Sequence, residues 1–154
     1  MEWSTVDYNE AAEEVFAELG VDPNAPTEED SMNCVYKHRN GSLLYVGDQR
    51  SVRNPDFLRR LNIRGIVNCT HNMPNTPVED FSYYRFPVGK WRQHCNDKIE
   101  HLKEFIEQML DFVEDLLDSG CSILLHCVAG AHRSGATAVL LVMHFTNTSH
   151  SQVK

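Results

Sequence analysis

What the chain lacks narrows it first. No run of apolar residues approaches the ~18 needed to cross a membrane. The opening MEWSTVDYNEAAEEVF has neither the basic flank nor the apolar centre of a secretory signal. Basic residues are scarce: 14 Lys and Arg stand against 22 Asp and Glu, a net charge of −8. A chain this acidic lacks the basic face that supplies most nucleic-acid or anionic-membrane binding, so neither is expected as a partner. A small basic pocket is still compatible with that total, because the local field decides there. Paired cysteines are missing too. The five present, Cys34, Cys69, Cys95, Cys121 and Cys127, are odd in number and scattered, with no Cys-x-x-Cys. That makes a poor disulfide framework and a poor zinc site. No cluster of His and carboxylates falls at ligand spacing either, so no metal and no cofactor are expected. A reducing location, cytoplasmic or also nuclear, is the simplest expectation, and Asn-x-Ser/Thr matches at Asn40, Asn68 and Asn147 then carry no meaning.

What is present fits one globular domain: 154 residues, 42% hydrophobic and 23% charged. Asn9 to Gly20 reads as a short acidic helix, capped by Asn9, striped by Val15, Phe16 and Leu19, and stopped by Gly20. The Pro- and acid-rich VDPNAPTEEDSMN follows as a linker. Residues 1–30 are therefore expected to be an appendage and 31–154 the main domain, whose core begins at SLLYVGD. NPDFLRRLN offers Asn54 as helix cap and Pro55 at the first helical position. IRGIVNCT and FSYYRFPV (Phe81–Val88) read as strands. Asp97 to Gly120 is the longest helix, with Ile99, Leu102, Ile106, Met109, Leu110, Val113, Leu116 and Leu117 at three- and four-residue spacing. CSILLHC reads as a buried strand and SGATAVLLVMHF as an apolar helix. Strands alternating with helices predict an α/β fold with a mainly parallel central sheet flanked by helices.

HCVAGAHRSG, His126 to Gly135, falls between a central strand and a buried helix. Such turns lie at the carboxyl end of a sheet, where α/β proteins bind ligands. Backbone N–H groups of a tight loop, with those at the next helix's start, converge into an anion nest. Gly130 lets the chain wrap closely. At the base of that nest Cys127 is favoured as thiolate, and Arg133 offers a planar fork for two phosphate oxygens. One loop thus combines a nucleophile with a cradle for the group it attacks, which points to displacement at phosphorus through a cysteinyl-phosphate.

His126-Cys127-x-x-Gly130-x-x-Arg133-Ser134 resembles the signature loop of the cysteine-dependent protein tyrosine phosphatase superfamily. The short length and the flanks LLYVGDQRSVRNPDFLRRLNIRGIVNCT and YYRFPV are similar to its dual-specificity branch, from roughly Ser42 to Phe145. The resemblance implies Cys127 as nucleophile and Arg133 as the group that binds substrate phosphate and stabilises the transition state. It implies Ser134 as a hydrogen-bond partner that eases breakdown of the phosphoenzyme, and His126 as a lock on the loop that helps keep the thiol ionised. Val128, Ala129, Gly130, Ala131 and His132 would donate backbone N–H groups to the phosphate. Cys69 stands where related phosphoinositide phosphatases carry a thiol that can pair reversibly with the nucleophile; a small core residue is the plainer reading.

Two departures stand against the resemblance. The family's general acid usually follows Pro-Val as Pro-Val-x-Asp, but here the phrase is FPVGKWRQHCND and Lys90 holds that position. Counting back thirty residues from Cys127 gives Asp97 as the candidate acid. Asp97 is also the first residue of an Asp-x-x-Glu capping box with Glu100, which would hold it ionised, the wrong state for an acid. Asp80 is a more distant candidate. The other departure is the ending TNTSHSQVK, soon after Phe145, where the branch usually continues with one or two helices. The face they cover would be exposed, inviting a homodimer.

Val128, Ala129, Ala131 and His132 make a small, neutral loop, so a single phosphate on a protein side chain is the expected substrate. Trp91, Arg92 and His94 are candidates to line the mouth. Two classes of function stand at this point. One is a phosphoprotein phosphatase acting on phosphotyrosine and on phosphoserine or phosphothreonine. The other is a phosphate-binding pseudophosphatase or interaction module with an impaired acid.

Overall fold

A computed structural model of the chain describes residues 17–18, 31–75, 77–130 and 132–146. Of the helix expected over Asn9–Gly20, Ala17 and Glu18 are described and helical; the rest of it, the linker and TNTSHSQVK from Asn147 onward lie outside the described residues. The domain opens with an antiparallel hairpin, β1 (Met32–Lys37) and β2 (Leu43–Gly47). The sequence reading missed β1. It is an edge strand with an irregular burial pattern, and its register with β2 shifts between Cys34 and Tyr36. The Asn40-Gly41 dipeptide, with Gly41 at φ 94°, is the hairpin signal that could have found it.

A 3₁₀ turn (Ser51–Arg53) leads to α1 (Pro55–Arg60), where the Phe57 amide donates to the Asn54 side chain at 3.1 Å, as the cap-plus-Pro signal predicts. β3 (Ile63–Asn68) and β4 (Ser82–Arg85) follow. A second 3₁₀ turn (Val88–Lys90) runs into a short α2 (Trp91–Cys95), and then come α3 (Ile99–Asp118), β5 (Ser122–His126) and α4 (Arg133–Thr146). The sheet has five strands in the order β1-β2-β5-β3-β4. All its pairings except β1–β2 are parallel. The expected α/β architecture is what forms.

β5 shows why. All of its residues are buried, the mark of a parallel strand covered on both faces. Alternate side chains go opposite ways. Ile123 and Leu125 join Met109, Val113 and Leu117 of α3 and Ala138 and Leu141 of α4. Leu124 instead joins Leu58 of α1, Ile63 and Ile66. The turn of the β1–β2 hairpin caps the far end of α3: Asn40 Nδ2 and Ser42 Oγ donate to the Leu117 carbonyl at 2.7 and 2.9 Å. His38 and Arg39 hold the Asp118 carboxyl below its usual range, the His38 hydrogen bond at 2.7 Å being the larger cause. Among the described residues the large apolar side chains that stay well exposed are Ile99 (81%) and Val128 (42%).

Candidate active site

β5 lies at the centre of the sheet and delivers Cys127 just past its carboxyl end, while α4 begins at Arg133. Cys127 is 1% exposed. Its sulfur accepts from the Gly130 amide at 3.2 Å and lies 3.3 Å from Ser134 Oγ, itself fully buried. The loop therefore curls over the sulfur, as the nest requires. Ala131 lies outside the described residues.

Gly130 makes the curl. It has φ 73°, and a Cβ there would sit 2.8 Å from the Asp48 amide nitrogen. The loop thus rests backbone-on-backbone against the turn after β2, and the Gln49 amide adds a hydrogen bond to the Val128 carbonyl at 3.1 Å. Asp48 is fixed in turn by Arg50, whose Nε and guanidinium nitrogen donate to one carboxylate oxygen at 2.9 and 2.6 Å. Gly130→Ala is expected to cost about 1–3 kcal/mol through forced backbone strain and to weaken oxyanion binding. Thermal unfolding and vanadate titration check this. Unchanged melting with unchanged vanadate affinity would show that the loop is not built around this contact.

His126 is 2% exposed. Burial pushes its imidazole down to about 4, with the Cys127 backbone pulling upward, Arg85 adding to the depression and Asp48 opposing it. The ring is neutral at pH 7, so any help it gives the Cys127 sulfur comes through hydrogen bonding and dipole, not through positive charge. Cys69 is fully buried below the loop, and its amide donates to the His126 carbonyl at 2.8 Å. Burial pushes the Cys69 thiol up to about 12; a hydrogen bond to Thr137 opposes this, Cys127 adds to it and Arg133 opposes it.

The sequence reading missed the groups that brace this end of the sheet. Asn68, the register partner of His126, is fully buried. It accepts from the Thr70 amide and hydroxyl at 3.0 and 2.6 Å and donates to the Met73 carbonyl and the Asn75 side chain, each at 2.9 Å. Arg85 of β4 donates to the Thr70 and Met73 carbonyls at 3.2 and 2.8 Å. The signal was present: a polar Asn-Cys-Thr ending an apolar strand must spend its donors and acceptors on something buried.

The candidate acids fare differently. Asp80 precedes β4, at the opposite end of the parallel strands from Cys127, and pairs with Arg59 at 2.9 Å. Asp97 does not cap α3: the cap residue is Lys98, without a side-chain hydrogen bond, and the helix starts at Ile99. Asn96 and Asp97 are both left-handed, at φ 48° and 55°, because the chain must leave α2 before α3 can begin. The capping box is thereby broken, and the exposed Asp97 carboxylate carries no hydrogen bond or ion pair to the loop among the described residues. The turn that does touch the loop is Val88–Lys90: a Cβ on Gly89 would lie 3.5 Å from Arg133 Cδ. Trp91, Arg92 and His94 ride on α2 directly after it. Arg92 lies over the Trp91 ring at 5.3 Å, and His94 stacks on Phe105 of α3 at 5.6 Å.

Comparison with known proteins shows the family and the fold. The model of the dual specificity phosphatase catalytic domain matches residues 44–153, and the chain belongs to that family. It is 26% identical over 149 residues to human dual specificity protein phosphatase 6, covering 92% of this chain and 37% of that protein. It is 34% identical over 107 residues to human dual specificity protein phosphatase 9, covering 65% of this chain and 25% of that protein. The chain thus spans less than half the length of these curated relatives. The crystal structure of human DUSP28 matches the fold with a TM-score of 0.58 at 21% identity, over 77% of this chain and 74% of that one. That of DUSP15 does so with a TM-score of 0.55 at 26% identity, over 68% and 63%.

Proposed function

We propose that this chain is a phosphoprotein phosphatase that hydrolyses phosphotyrosine, and phosphoserine or phosphothreonine, through a cysteinyl-phosphate on Cys127. The observation that carries the reading is the buried sulfur held between the Gly130 amide at 3.2 Å and Ser134 Oγ at 3.3 Å, with Arg133 opening the next helix. In the first step the Cys127 thiolate attacks phosphorus, an S–P bond forms, and the ester P–O bond breaks with its electrons leaving on oxygen. That oxygen takes a proton. In the second step water attacks phosphorus, the S–P bond breaks, and the thiolate and inorganic phosphate are released. Arg133 and the loop amides meet the charge that gathers on the equatorial oxygens. Ser134 steadies the sulfur as it leaves. In this reading Cys69 is a packing residue beneath the loop, since a thiol held so firmly protonated is a poor partner for exchange.

Asp97 is our candidate for the proton donor, because the left-handed turn frees its carboxyl from the capping role. Asp97→Asn is expected to lower kcat for p-nitrophenyl phosphate by about 10²-fold and to flatten the high-pH limb of the rate profile. The measurement is a metal-free pH–rate series on both proteins. An unchanged profile with normal turnover would remove Asp97 from the mechanism and leave the nucleophile standing. No turnover by the wild type, with vanadate still bound, would favour the phosphate-binding module. The observation behind that second reading is Lys90 where the family resemblance expects the acid.

A further inference from the structure

We infer that Tyr36, His38 and Asp118 form a nucleophile, its base and an orienting group, and that the Tyr36 hydroxyl is an acyl-acceptor site for activated aryl esters. The set stands apart from Cys127 and does not depend on the phosphatase reading. Tyr36 lies near the end of β1 that pairs with Leu43, the first residue of β2, whereas the other end of β2, at Gly47, pairs with His126. The three residues therefore sit at the end of the sheet opposite the phosphate loop.

The His38 side chain is 6% exposed, and its Nε2 lies 2.7 Å from Asp118 Oδ1 at the end of α3. Arg39 donates to the same oxygen at 3.0 Å. The His38 bond is the main cause that holds the Asp118 carboxyl below its usual range, with burial opposing it and Arg39 assisting. An ionised carboxylate only accepts, so Nε2 carries the proton of the neutral imidazole and donates it to Asp118. Nδ1 is then the bare acceptor, and Tyr36 Oη donates to it at 3.4 Å. Nucleophile, base and orienter in that order are what activates a hydroxyl for covalent chemistry. At 3.4 Å the contact is loose, as catalytic hydrogen bonds often are before the reaction complex forms.

Phe145 of α4 holds both rings: it stacks on Tyr36 at 5.2 Å and meets His38 edge-on at 5.7 Å. Tyr36 itself is half-buried, and the apolar wall beside it suits a donor whose leaving group is an aryl ring. In the transfer, Tyr36 Oη attacks the acyl carbon and a C–O bond forms, while its proton passes to His38 Nδ1. The donor's own acyl C–O bond breaks with its electron pair leaving on the aryloxide, and the imidazolium then gives its proton to water. A tyrosyl ester forms only if the departing aryloxide is a weaker base than tyrosinate, so the donor must be an activated ester.

The test uses the full chain with Cys127→Ser, which removes the phosphatase nucleophile, and treats it with p-nitrophenyl acetate at neutral pH. Peptide mapping by mass spectrometry reads acetylation of each tyrosine against time. Tyr36 is expected to be acetylated about 10²-fold faster than Tyr45, Tyr83 and Tyr84, which are half-buried as well. His38→Gln is expected to remove that advantage, and Asp118→Asn to lower it about 10-fold or more. Circular dichroism and an unchanged Tyr45 rate report an intact hairpin. The comparison among tyrosines before any change at the site decides the question even if His38→Gln unfolds the hairpin. Equal rates at all four tyrosines, acetyl carried by the exposed Cys34 in place of Tyr36, or a Tyr36 rate indifferent to both changes in folded protein would overturn the inference. Tyr36→Phe in otherwise wild-type protein is expected to leave p-nitrophenyl phosphate turnover as it was; loss of that turnover would overturn the separation of the two sites. Absent turnover in the wild type would remove the phosphatase and leave this site standing.

Discussion

Cys127→Ser is expected to abolish hydrolysis of p-nitrophenyl phosphate, lowering kcat by about 10⁴-fold or more, while the protein still folds and still binds phosphopeptides. The reason lies in what the site lacks as well as in what it holds. A thiol ionises near neutral pH with modest help from a helix N-terminus or a nearby cation. A hydroxyl does not, and would need a general base beside it. The buried imidazole beside it in sequence, His126, is pushed down to about 4 by burial, which leaves it neutral but too weak a base to take the proton from a serine hydroxyl. Structure should survive because serine is slightly smaller than cysteine and its oxygen can accept the Gly130 amide bond now made to sulfur. Residual turnover within 10-fold of wild type would mean that another group attacks phosphorus.

Arg133→Lys is expected to lower kcat/KM for the same substrate by about 10²–10³-fold. The substitution keeps the positive charge and removes the planar fork, so the loss reports two-point contact with the phosphoryl oxygens and not charge alone. Arg133 stands at the first position of α4 with no acidic residue in that turn. A cation there opposes the helix dipole and costs the fold about 0.3–1 kcal/mol, so the site is held at some expense to stability. The lysine variant carries the same charge, and its melting temperature should stay close to that of the parent. Loss of activity with an unchanged melting temperature is the expected pattern. A loss below about 3-fold would show that Arg133 acts as a diffuse charge only.

The loop from Cys127 to Ser134 was legible as a tight turn between a strand and a helix because its determinants are contiguous: cysteine, glycine, arginine and serine close together, flanked by a strand run and an apolar helix. The long helix α3 was legible from periodicity, and β3, β4 and β5 from short apolar or β-branched runs, for the same local reason, whereas SLLYVGD, which forms β2, was read only as the start of the core. Other features depend on what lies across the fold. The close approach of Gly130 to Asp48 joins segments far apart in sequence, so the loop's need for glycine at φ 73° could be sensed while its neighbour could not. β1 pairs at the edge with an irregular register, which blurs the alternation that identifies a strand. Asp97 was misplaced as a cap because the local Asp-x-x-Glu pattern is genuine chemistry overruled by geometry: α2 ends in left-handed residues, and the cap position shifts to Lys98. The neutral state of His126 follows from burial on all sides, which no local pattern announces.

The central claim, a covalent phosphoryl group on Cys127, is tested most directly by acid-quenching wild-type protein during turnover of p-nitrophenyl phosphate and mapping the modified peptide by mass spectrometry. The account predicts phosphate on the peptide containing Cys127, at that sulfur, and none on the same peptide from Cys127→Ser. Steady turnover with no phosphocysteine at any quench time, or with phosphate carried by a different residue, would contradict it.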